Sequence, residues 1–185
     1  MPPPEMFIHK SAVHGQAHVA RTMVHAFRLI EATGLAEEAA RLWAAVYLHD
    51  LSRTHDGRCY RHGTHAAQRF ATLADVQALF LRGGVTREDF PAIETAVIQH
   101  CLPTELDRRH PHYRLTALLK DADALDRVRL GDLNPHLLRH DQAREMIPFA
   151  QELFEQTDEV LRPGTDYFPK LWKVAVRISE SERAG

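Results

Sequence analysis

Cysteine, long apolar runs and a targeting pattern are scarce or absent in this chain of 185 residues. The two cysteines, Cys59 and Cys101, are too few for a disulfide scaffold, and both fit the pattern of small buried residues in a reducing compartment. The longest apolar stretch, 42–48, is far too short to cross a bilayer, and no basic start followed by an apolar run opens the sequence. We therefore expect a cytoplasmic protein without a membrane-spanning segment.

An excess of charge of one sign is also missing. The formal net charge is -2, and Lys and Arg are spread along the chain instead of forming a block. Nucleic acids and anionic membranes bind clustered basic residues, so we expect neither as a partner. Linkers rich in Ser or Pro and internal repeats are absent too, which favours a single domain over residues 1–185.

Apolar residues with a regular spacing occur through most of the sequence. These residues recur every three or four positions, the period of an amphipathic helix, and no stretch alternates as a half-buried strand does. The sequence therefore predicts an all-α fold without significant sheet. Gly34 and the Gly83-Gly84 pair are typical helix stops, and Pro163-Gly164 predicts a turn before the last helix. The predicted helices cover residues 10–32, 36–50, 63–80, 90–101, 112–130, 142–161 and 166–182.

Histidine departs from average composition, with 13 copies. In the first predicted helix, an arginine and three of these histidines share one face, because they are spaced i, i+4, i+7 and i+11. They are His14, His18, Arg21 and His25. The stripe is either a solvated polar surface or part of a functional site, since histidine is the commonest metal ligand.

His49 and Asp50 directly follow a strongly apolar helical segment. A carboxylate buried beside an imidazole costs several kcal/mol unless it is paired or coordinates a metal. The pair is therefore a candidate metal-binding site, and the alternative is a His-Asp hydrogen bond at the helix end. The polar loop 52–63 that follows is either a plain connection or the rim of a site.

Three aspartates, Asp121, Asp123 and Asp126, alternate with small and apolar residues in a later predicted helix. Asp123 shares a face with Lys120 and Asp126, whereas Asp121 is rotated by about 200° from Asp123. Asp123 is therefore the candidate that points into a site, and we expect Asp121 to face away.

The order of these residues resembles the H…HD…D pattern of the HD superfamily of metal-dependent phosphohydrolases. Residues 18–21 resemble its first signature, 49–53 and the following loop its second, and 121–126 its closing motif. The resemblance covers about residues 12–129 and implies an HD-type helical bundle, completed by C-terminal helices at about 142–182. The core metal ligands that it implies are His18, His49, Asp50 and Asp123.

The resemblance implies a divalent cation and leaves its identity open. Imidazole nitrogens and carboxylate oxygens in this mixture suit Mn, Fe, Co, Ni, Zn or Mg. Some HD families add two histidines between the HD pair and the last aspartate, and His62 and His100 occupy such positions. If both reach the site, Asp50 bridges two ions. Otherwise, they begin and end helices or contact substrate phosphate.

The implied activity is hydrolysis of a nucleotide or another small phosphorylated compound by a metal-activated water. Arg53 and Lys120 flank proposed ligands and are the leading candidates to bind phosphate or protonate the leaving group, ahead of Arg21. Ordinary surface charge is their alternative role. His14 is assigned to the substrate side, because His18 stands three residues before Arg21 as in the family signature.

Two other functions fit the same pattern. HD-type di-iron oxygenases use six His and Asp ligands on this scaffold, so an oxygenase requires His62 and His100 as ligands. A non-catalytic nucleotide-binding module is disfavoured, because no core ligand position is substituted. The sequence carries no adenine or guanine signature and specifies neither the substrate nor the oligomeric state.

Overall fold

The computed structural model describes residues 1–158 and 166–184, and these residues form helices without any strand. The predicted all-α fold is thus confirmed for the described ranges. The Pro163-Gly164 turn and the end of the predicted helix 142–161 lie outside them. The α-helices of the described residues are α1 Gln16–Thr33, α2 Ala39–Leu48, α3 His62–Phe70, α4 Ala74–Arg82, α5 Phe90–His100, α6 Tyr113–Leu125, α7 Asp141–Glu145, α8 Ile147–Thr157 and α9 Tyr167–Ala184.

The first helix begins later than the sequence predicted. It starts at Gln16 instead of residue 10, so His14 precedes the helix and does not share its face with His18. The Ser11 hydroxyl oxygen accepts hydrogen bonds from the backbone N–H groups of Val13 (2.9 Å) and His14 (2.7 Å). Such local side-chain bonds compete with helical hydrogen bonding, which explains the delayed start.

Three other predicted helices are divided or shortened. Residues 63–80 form α3 and α4 with a turn between them, and 142–161 contains α7 and α8. The predicted helix 112–130 is α-helical only to Leu125 and continues as a 3₁₀ turn to Leu130. Apolar spacing persists through each change of direction, so the spacing alone does not reveal the break.

Glycine ends α1 and α4, as the sequence predicted. Gly34 adopts the left-handed conformation with φ of 70°, and its N–H group donates to the carbonyl of Ile30. Gly83 follows α4, and Gly84 has φ of 92°. Only glycine adopts these positive φ values without steric cost, so both helices end where a glycine occurs.

The main core lies between α1, α2, α5 and α6. α1 packs against α2 and α6, while α5 packs against α2, α3 and α6. Val46 and Leu48 of α2 and Leu118 of α6 are fully buried within this core. Close packing leaves little freedom to shift one helix against another, so the residues at the helix ends hold fixed relative positions.

A smaller apolar cluster joins α1 to α8 and α9. Its buried residues include Val24 of α1, Phe149 of α8 and Leu171 of α9. α9 thus covers the outer face of α1, away from the α2 and α5 side. No helix in ranges 1–158 and 166–184 is both long and apolar enough to cross a membrane.

α3 and α5 approach each other closely at Gly63. A Cβ atom at this position would lie 2.2 Å from the Val97 carbonyl oxygen and 3.1 Å from the Ile98 Cα atom. Glycine is therefore required for this contact between two backbones. The contact fixes His62, the first residue of α3, relative to His100, the last residue of α5.

Candidate metal centre

Six side chains with metal-binding atoms converge where five helices begin or end. All of them except one are buried, and that one, an aspartate, is 31% exposed toward a cleft. Every core ligand implied by the family resemblance is among them, together with both further histidines. They are His18 in α1, His49 and Asp50 after α2, His62 at the start of α3, His100 at the end of α5, and Asp123 near the end of α6.

The first group of donors surrounds the Nε2 atom of His18. This atom lies 3.1 Å from His49 Nε2. It lies 3.4 Å from Asp50 Oδ2 and 3.2 Å from Asp123 Oδ1. The distances from His49 Nε2 to the same two carboxylate oxygens are 3.8 and 4.0 Å. An ion bonded at about 2.0–2.2 Å separates its ligands by roughly 3.0–4.2 Å, so these spacings match a shared ion.

The second group contains His62, His100 and the other oxygen of Asp50. The two Nε2 atoms are 2.9 Å apart. Asp50 Oδ1 lies 3.1 Å from His62 Nε2 and 3.8 Å from His100 Nε2. Because Oδ2 of the same carboxylate faces His18, Asp50 stands between the two groups.

The charge states of Asp50 and His49 suit metal binding. Burial alone would raise the pKa of Asp50, but the neighbouring imidazoles of His49, His100 and His62 hold that pKa well below its ordinary value. Burial lowers the pKa of His49 to about 4. At neutral pH, the carboxylate is therefore ionised and the imidazole is neutral, as a metal ligand must be.

The Nδ1 atoms of these four histidines have acceptors outside the cluster. His49 donates to the Val46 carbonyl at 2.8 Å. His62 and His100 donate in the same way to the carbonyls of residues 59 and 97, at 2.8 and 2.5 Å. His18 Nδ1 donates to Asp126 Oδ2 at 2.7 Å. Such contacts orient metal-binding histidines and leave the Nε2 lone pair free for the ion.

The arrangement fits a bound cation on chemical grounds. With each Nδ1 atom carrying the proton, the Nε2 atoms of His18 and His49 face each other as lone pairs at 3.1 Å, and those of His62 and His100 do so at 2.9 Å. Two facing lone pairs and ionised carboxylates repel one another in a buried site. A divalent ion between each pair removes that repulsion, so the residues present fit two ions.

Arg21 does not face a substrate, contrary to its ranking among the phosphate-binding candidates. Its side chain is 2% exposed, and its Nε atom donates to Asp126 Oδ1 at 2.5 Å. Asp126 is fully buried and also accepts from His18. The pair lies behind His18, where α1 meets α6, so Arg21 helps to hold the carboxylate that orients a proposed ligand.

A cleft of about 680 Å³ opens beside the donor cluster. Arg53 lines this cleft and contacts the cluster directly, because its Nε atom donates to Asp50 Oδ1 at 2.8 Å. The Arg53 Nη1 atom donates to the carbonyl of Gly57 at 3.2 Å, within the polar loop. The loop 52–63 therefore forms one rim of the cleft and is not a plain connection between helices.

His14 lies on the cleft wall next to Asp56. Its Nδ1 atom is 3.1 Å from Asp56 Oδ1, and the Ser11 hydroxyl also donates to this carboxylate. The His14 and His18 rings are 5.9 Å apart between centroids. Asp56 belongs to the loop that resembles the second HD signature, but no role for its carboxylate was predicted from the sequence.

Lys120 also lines the cleft, but its amine already has acceptors. The Nζ atom donates to the carbonyls of Leu102 (3.1 Å) and Thr104 (2.8 Å) and to Glu105 Oε1 (3.0 Å). An ammonium group has three protons to donate. A substrate phosphate would have to displace one of these acceptors. The contacts instead indicate that Lys120 holds the segment after α5 in place.

Asp121 lies apart from the donor cluster and is fully buried. Its carboxylate accepts hydrogen bonds from the backbone N–H groups of Arg139 and His140 and from the side chains of both residues. The Asp121 side chain therefore holds the segment that precedes α7 against α6.

Comparison with known proteins identifies no relative of this chain. No protein-family model matches it, no curated protein matches it, and no solved structure matches it. The functional argument therefore depends on the donor atoms and on the cleft beside them.

Proposed function

We propose that this chain is a metal-dependent hydrolase of small phosphate esters. The observation that supports this most is the pair of donor groups that share Asp50, each with two Nε2 atoms facing each other. Both groups border the same open cleft, through Asp123 in the first and His62 and His100 in the second. A substrate in the cleft therefore reaches both proposed ion positions.

The first group would hold one ion and the second group another. Imidazole and carboxylate donors suit Mn, Fe, Co, Ni or Zn, and Mg is compatible with the carboxylates. When bound, such ions would neutralise charge on phosphoryl oxygens and lower the pKa of a water to about 7.

Arg53 is the residue that we assign to the substrate phosphate. Its guanidinium lies between Asp50 and the cleft, and its side chain is 15% exposed. A planar guanidinium donates two parallel hydrogen bonds to a phosphate, which orients the phosphorus toward the donor cluster.

His14 is the residue that we assign to proton transfer. Asp56 binds the Nδ1 side of its ring, so the ring is held in place and its Nε2 atom is available to an oxygen in the cleft. A histidine positioned by a carboxylate is a common general acid for a leaving group.

The cleft also has an apolar rim that suits the organic part of a small ester. Tyr60, Leu130 and Leu137 line it and are 45%, 42% and 65% exposed. Its volume of about 680 Å³ is within the usual range for small-molecule sites, roughly 300–1,000 Å³.

The test is a substrate panel with the metal-free protein reloaded in turn with Mn²⁺, Fe²⁺, Co²⁺, Ni²⁺, Zn²⁺ and Mg²⁺. Phosphate release is measured with nucleoside mono-, di- and triphosphates, cyclic dinucleotides and generic phosphoesters. We expect release with at least one ion and none with Asp50→Ala, which removes a donor from both groups. Equal release by the Asp50→Ala protein would refute the proposal.

A di-iron oxygenase is the second candidate, favoured specifically by the six donors with Asp50 between two groups. Anaerobic loading with Fe²⁺, followed by oxygen addition with small polyols or phosphonates, separates the two functions. Substrate-dependent oxygen consumption without phosphate release would replace the hydrolase. Phosphate release without oxygen consumption would exclude the oxygenase.

A further inference from the structure

A cysteine lies against the second donor group. Cys101 directly follows His100 after the end of α5. The metal-binding atoms of His62, His100 and Cys101 all lie within 4.8 Å of one another. The side chain is partly buried and lines the cleft. The second group is therefore next to a sulfur donor, whereas the first contains only nitrogen and oxygen.

The two groups differ in the number of imidazole and carboxylate donors. The first has four: two histidines, Asp50 and Asp123. The second has three: two histidines and Asp50. Structural zinc sites have four protein ligands, whereas catalytic ones have three and a water. The Cys101 sulfur is the thiol that lies within 4.8 Å of the metal-binding atoms of both His62 and His100.

We propose that Cys101 is the fourth protein ligand of the second group and that this half of the centre takes a thiophilic ion, such as Zn²⁺ or Co²⁺. Thiolates favour such ions over Mg²⁺ and Mn²⁺, which prefer oxygen. The two halves therefore differ in ion preference, with the softer position next to His62 and His100. The inference rests on the metal centre of the proposed function and is independent of the reaction catalysed there.

The present contacts of the thiol allow this change of partner. The Cys101 Sγ atom is 3.5 Å from the Tyr60 carbonyl oxygen and 3.6 Å from the Ile98 carbonyl oxygen. A thiol is a weak donor, so rotation of one side-chain torsion gives up little. On binding, the S–H bond breaks, the sulfur bonds to the ion, and the proton passes to solvent.

The electrostatic balance of the second group supports the same assignment. Its two histidines are neutral ligands, and its one carboxylate is shared with the first group and contacts Arg53. A divalent ion in the second group is therefore only partly neutralised, because the carboxylate beside it is shared. A thiolate from Cys101 adds one negative charge at the position that lacks it.

Cobalt substitution tests the proposal without measuring activity. The metal-free protein is titrated with Co²⁺, bound cobalt is counted after gel filtration, and the near-ultraviolet spectrum is recorded for thiolate-to-cobalt charge transfer. We expect the band to appear as the second group fills. Cys101→Ser should lose the band and weaken binding of that ion by more than the roughly 10- to 100-fold typical of an outer contact.

Cys59→Ser is the matched control. Cys59 is also partly buried and lines the same cleft, but its thiol is outside the donor cluster. Its carbonyl accepts a hydrogen bond from His62 Nδ1, and its thiol also contacts the His62 side chain. The thiol does not group with His62 and His100 as the Cys101 thiol does, so the serine variant should keep the band. Two bound Co²⁺ ions without a band in the wild type, or a band that persists in Cys101→Ser, would overturn the ligand assignment and leave the hydrolase proposal standing. Failure to bind any Co²⁺ would overturn both.

Discussion

At the scale of single residues, the carboxylates of three neighbouring aspartates have different partners. Asp123 Oδ1 faces His18 Nε2, Asp126 accepts from His18 Nδ1, and Asp121 binds the segment before α7. We expect Asp123→Ala to abolish metal-dependent hydrolysis, because it deletes a proposed ligand. Asp126→Ala should lower metal affinity or activity by about 10- to 100-fold, since it removes only the orienting contact.

Asp121→Ala should instead lower stability with the metal centre intact. The substitution leaves backbone N–H groups of Arg139 and His140 without their acceptor, at roughly 1–3 kcal/mol for an unsatisfied buried group. Bound metal, turnover and urea unfolding are measured for the three variants in parallel. Near-normal turnover in Asp123→Ala would show that the fourth ligand of the first group is misplaced.

His14 and His18 are distinguished by their partners. His18 Nε2 faces three other donors, whereas His14 contacts Asp56 on the cleft wall. We therefore expect His18→Ala to lose metal and His14→Ala to keep it while losing at least about tenfold in turnover, the loss of a general acid. Metal analysis of both purified variants checks this, and the reverse pattern would exchange the two assignments.

His25 is a buried histidine whose ring nitrogens have no hydrogen-bond partner among the described residues. Burial lowers its pKa from 6.5 to about 4, so the unfolded chain binds a proton more readily between those values. His25 therefore lowers the free energy of unfolding as the pH falls through that window, by up to about 1.4 kcal/mol per pH unit.

The His25→Leu variant tests this contribution. We expect its unfolding free energy at pH 7 to rise by about 1 kcal/mol, because an unsatisfied polar ring is removed from the apolar contact with Phe149. Between pH 6.5 and 4, the variant should lose less stability than the wild type. Denaturant unfolding of both metal-free proteins is the measurement, and parallel pH curves would contradict it.

The sequence sufficed to find the donors but not their surroundings. His-Asp after an apolar helix and an aspartate at a suitable helical angle are local patterns, whereas His18, His62 and His100 were named as ligands from the resemblance to the HD superfamily. The contact between His14 and Asp56 depends on the path of a polar loop, and the burial of Arg21 depends on how α1 meets α6. Helical periodicity predicts neither this contact nor this burial.

At the scale of helices, the close approach of α3 and α5 at Gly63 controls the second donor group. The missing Cβ atom would lie 2.2 Å from the Val97 carbonyl oxygen, so Gly63→Ala must move α3 away from α5. His62 and His100 should then separate from their 2.9 Å spacing. We expect the variant to bind one ion fewer per chain, measured by metal analysis after equilibration with excess ion.

Gly34→Ala is the control for stability alone. Gly34 has φ of 70°, and a Cβ atom there would meet no atom within 4 Å, so the cost is backbone strain of about 1 kcal/mol far from the donors. This variant should keep the full metal content. Equal metal content in Gly63→Ala and wild type would show that the helix contact does not position the second group.

Helix identity could be predicted from the sequence more completely than helix ends. Apolar spacing indicated every α-helix in the described ranges but not the 3₁₀ turns at Pro4–Met6, Arg87–Asp89 and Pro135–Leu137, and Gly34 marked one helix end correctly. The start of α1 was wrong because Ser11 binds backbone N–H groups in a turn. The close contact at Gly63 was not foreseen, since it depends on a helix that is distant in sequence.

For the whole molecule, metal removal should lower thermal stability. The donors come from helices that pack together in the folded chain, so an ion bound between them stabilises the folded state and not the unfolded one. An ion at 100 times its Kd adds about 2.7 kcal/mol, and 1 kcal/mol shifts Tm by about 2–4 °C at this size. We expect chelation to lower Tm by about 5–10 °C per ion in a thermal melt.

Asp50→Ala is the control for this shift, because it should lose the ions before any chelator is added. Its Tm should therefore be the same with and without excess metal. A chelator-insensitive Tm in the wild type would indicate that no ion contributes to the folded state.

The placement of ligands at helix ends also has an electrostatic consequence for the backbone. α2, α5 and α6 all end next to the donors, at Leu48, His100 and Leu125. The aligned peptide dipoles of a helix place about half a negative elementary charge at its C-terminal end. These three ends outnumber the two positive N-terminal ends, of α1 and α3, that begin beside His18 and His62, so the net contribution of the helices to the potential is negative before any carboxylate contributes. Burial limits the screening of this potential by salt. The peptide backbone thus attracts a cation to this place, and the side chains determine which cation stays.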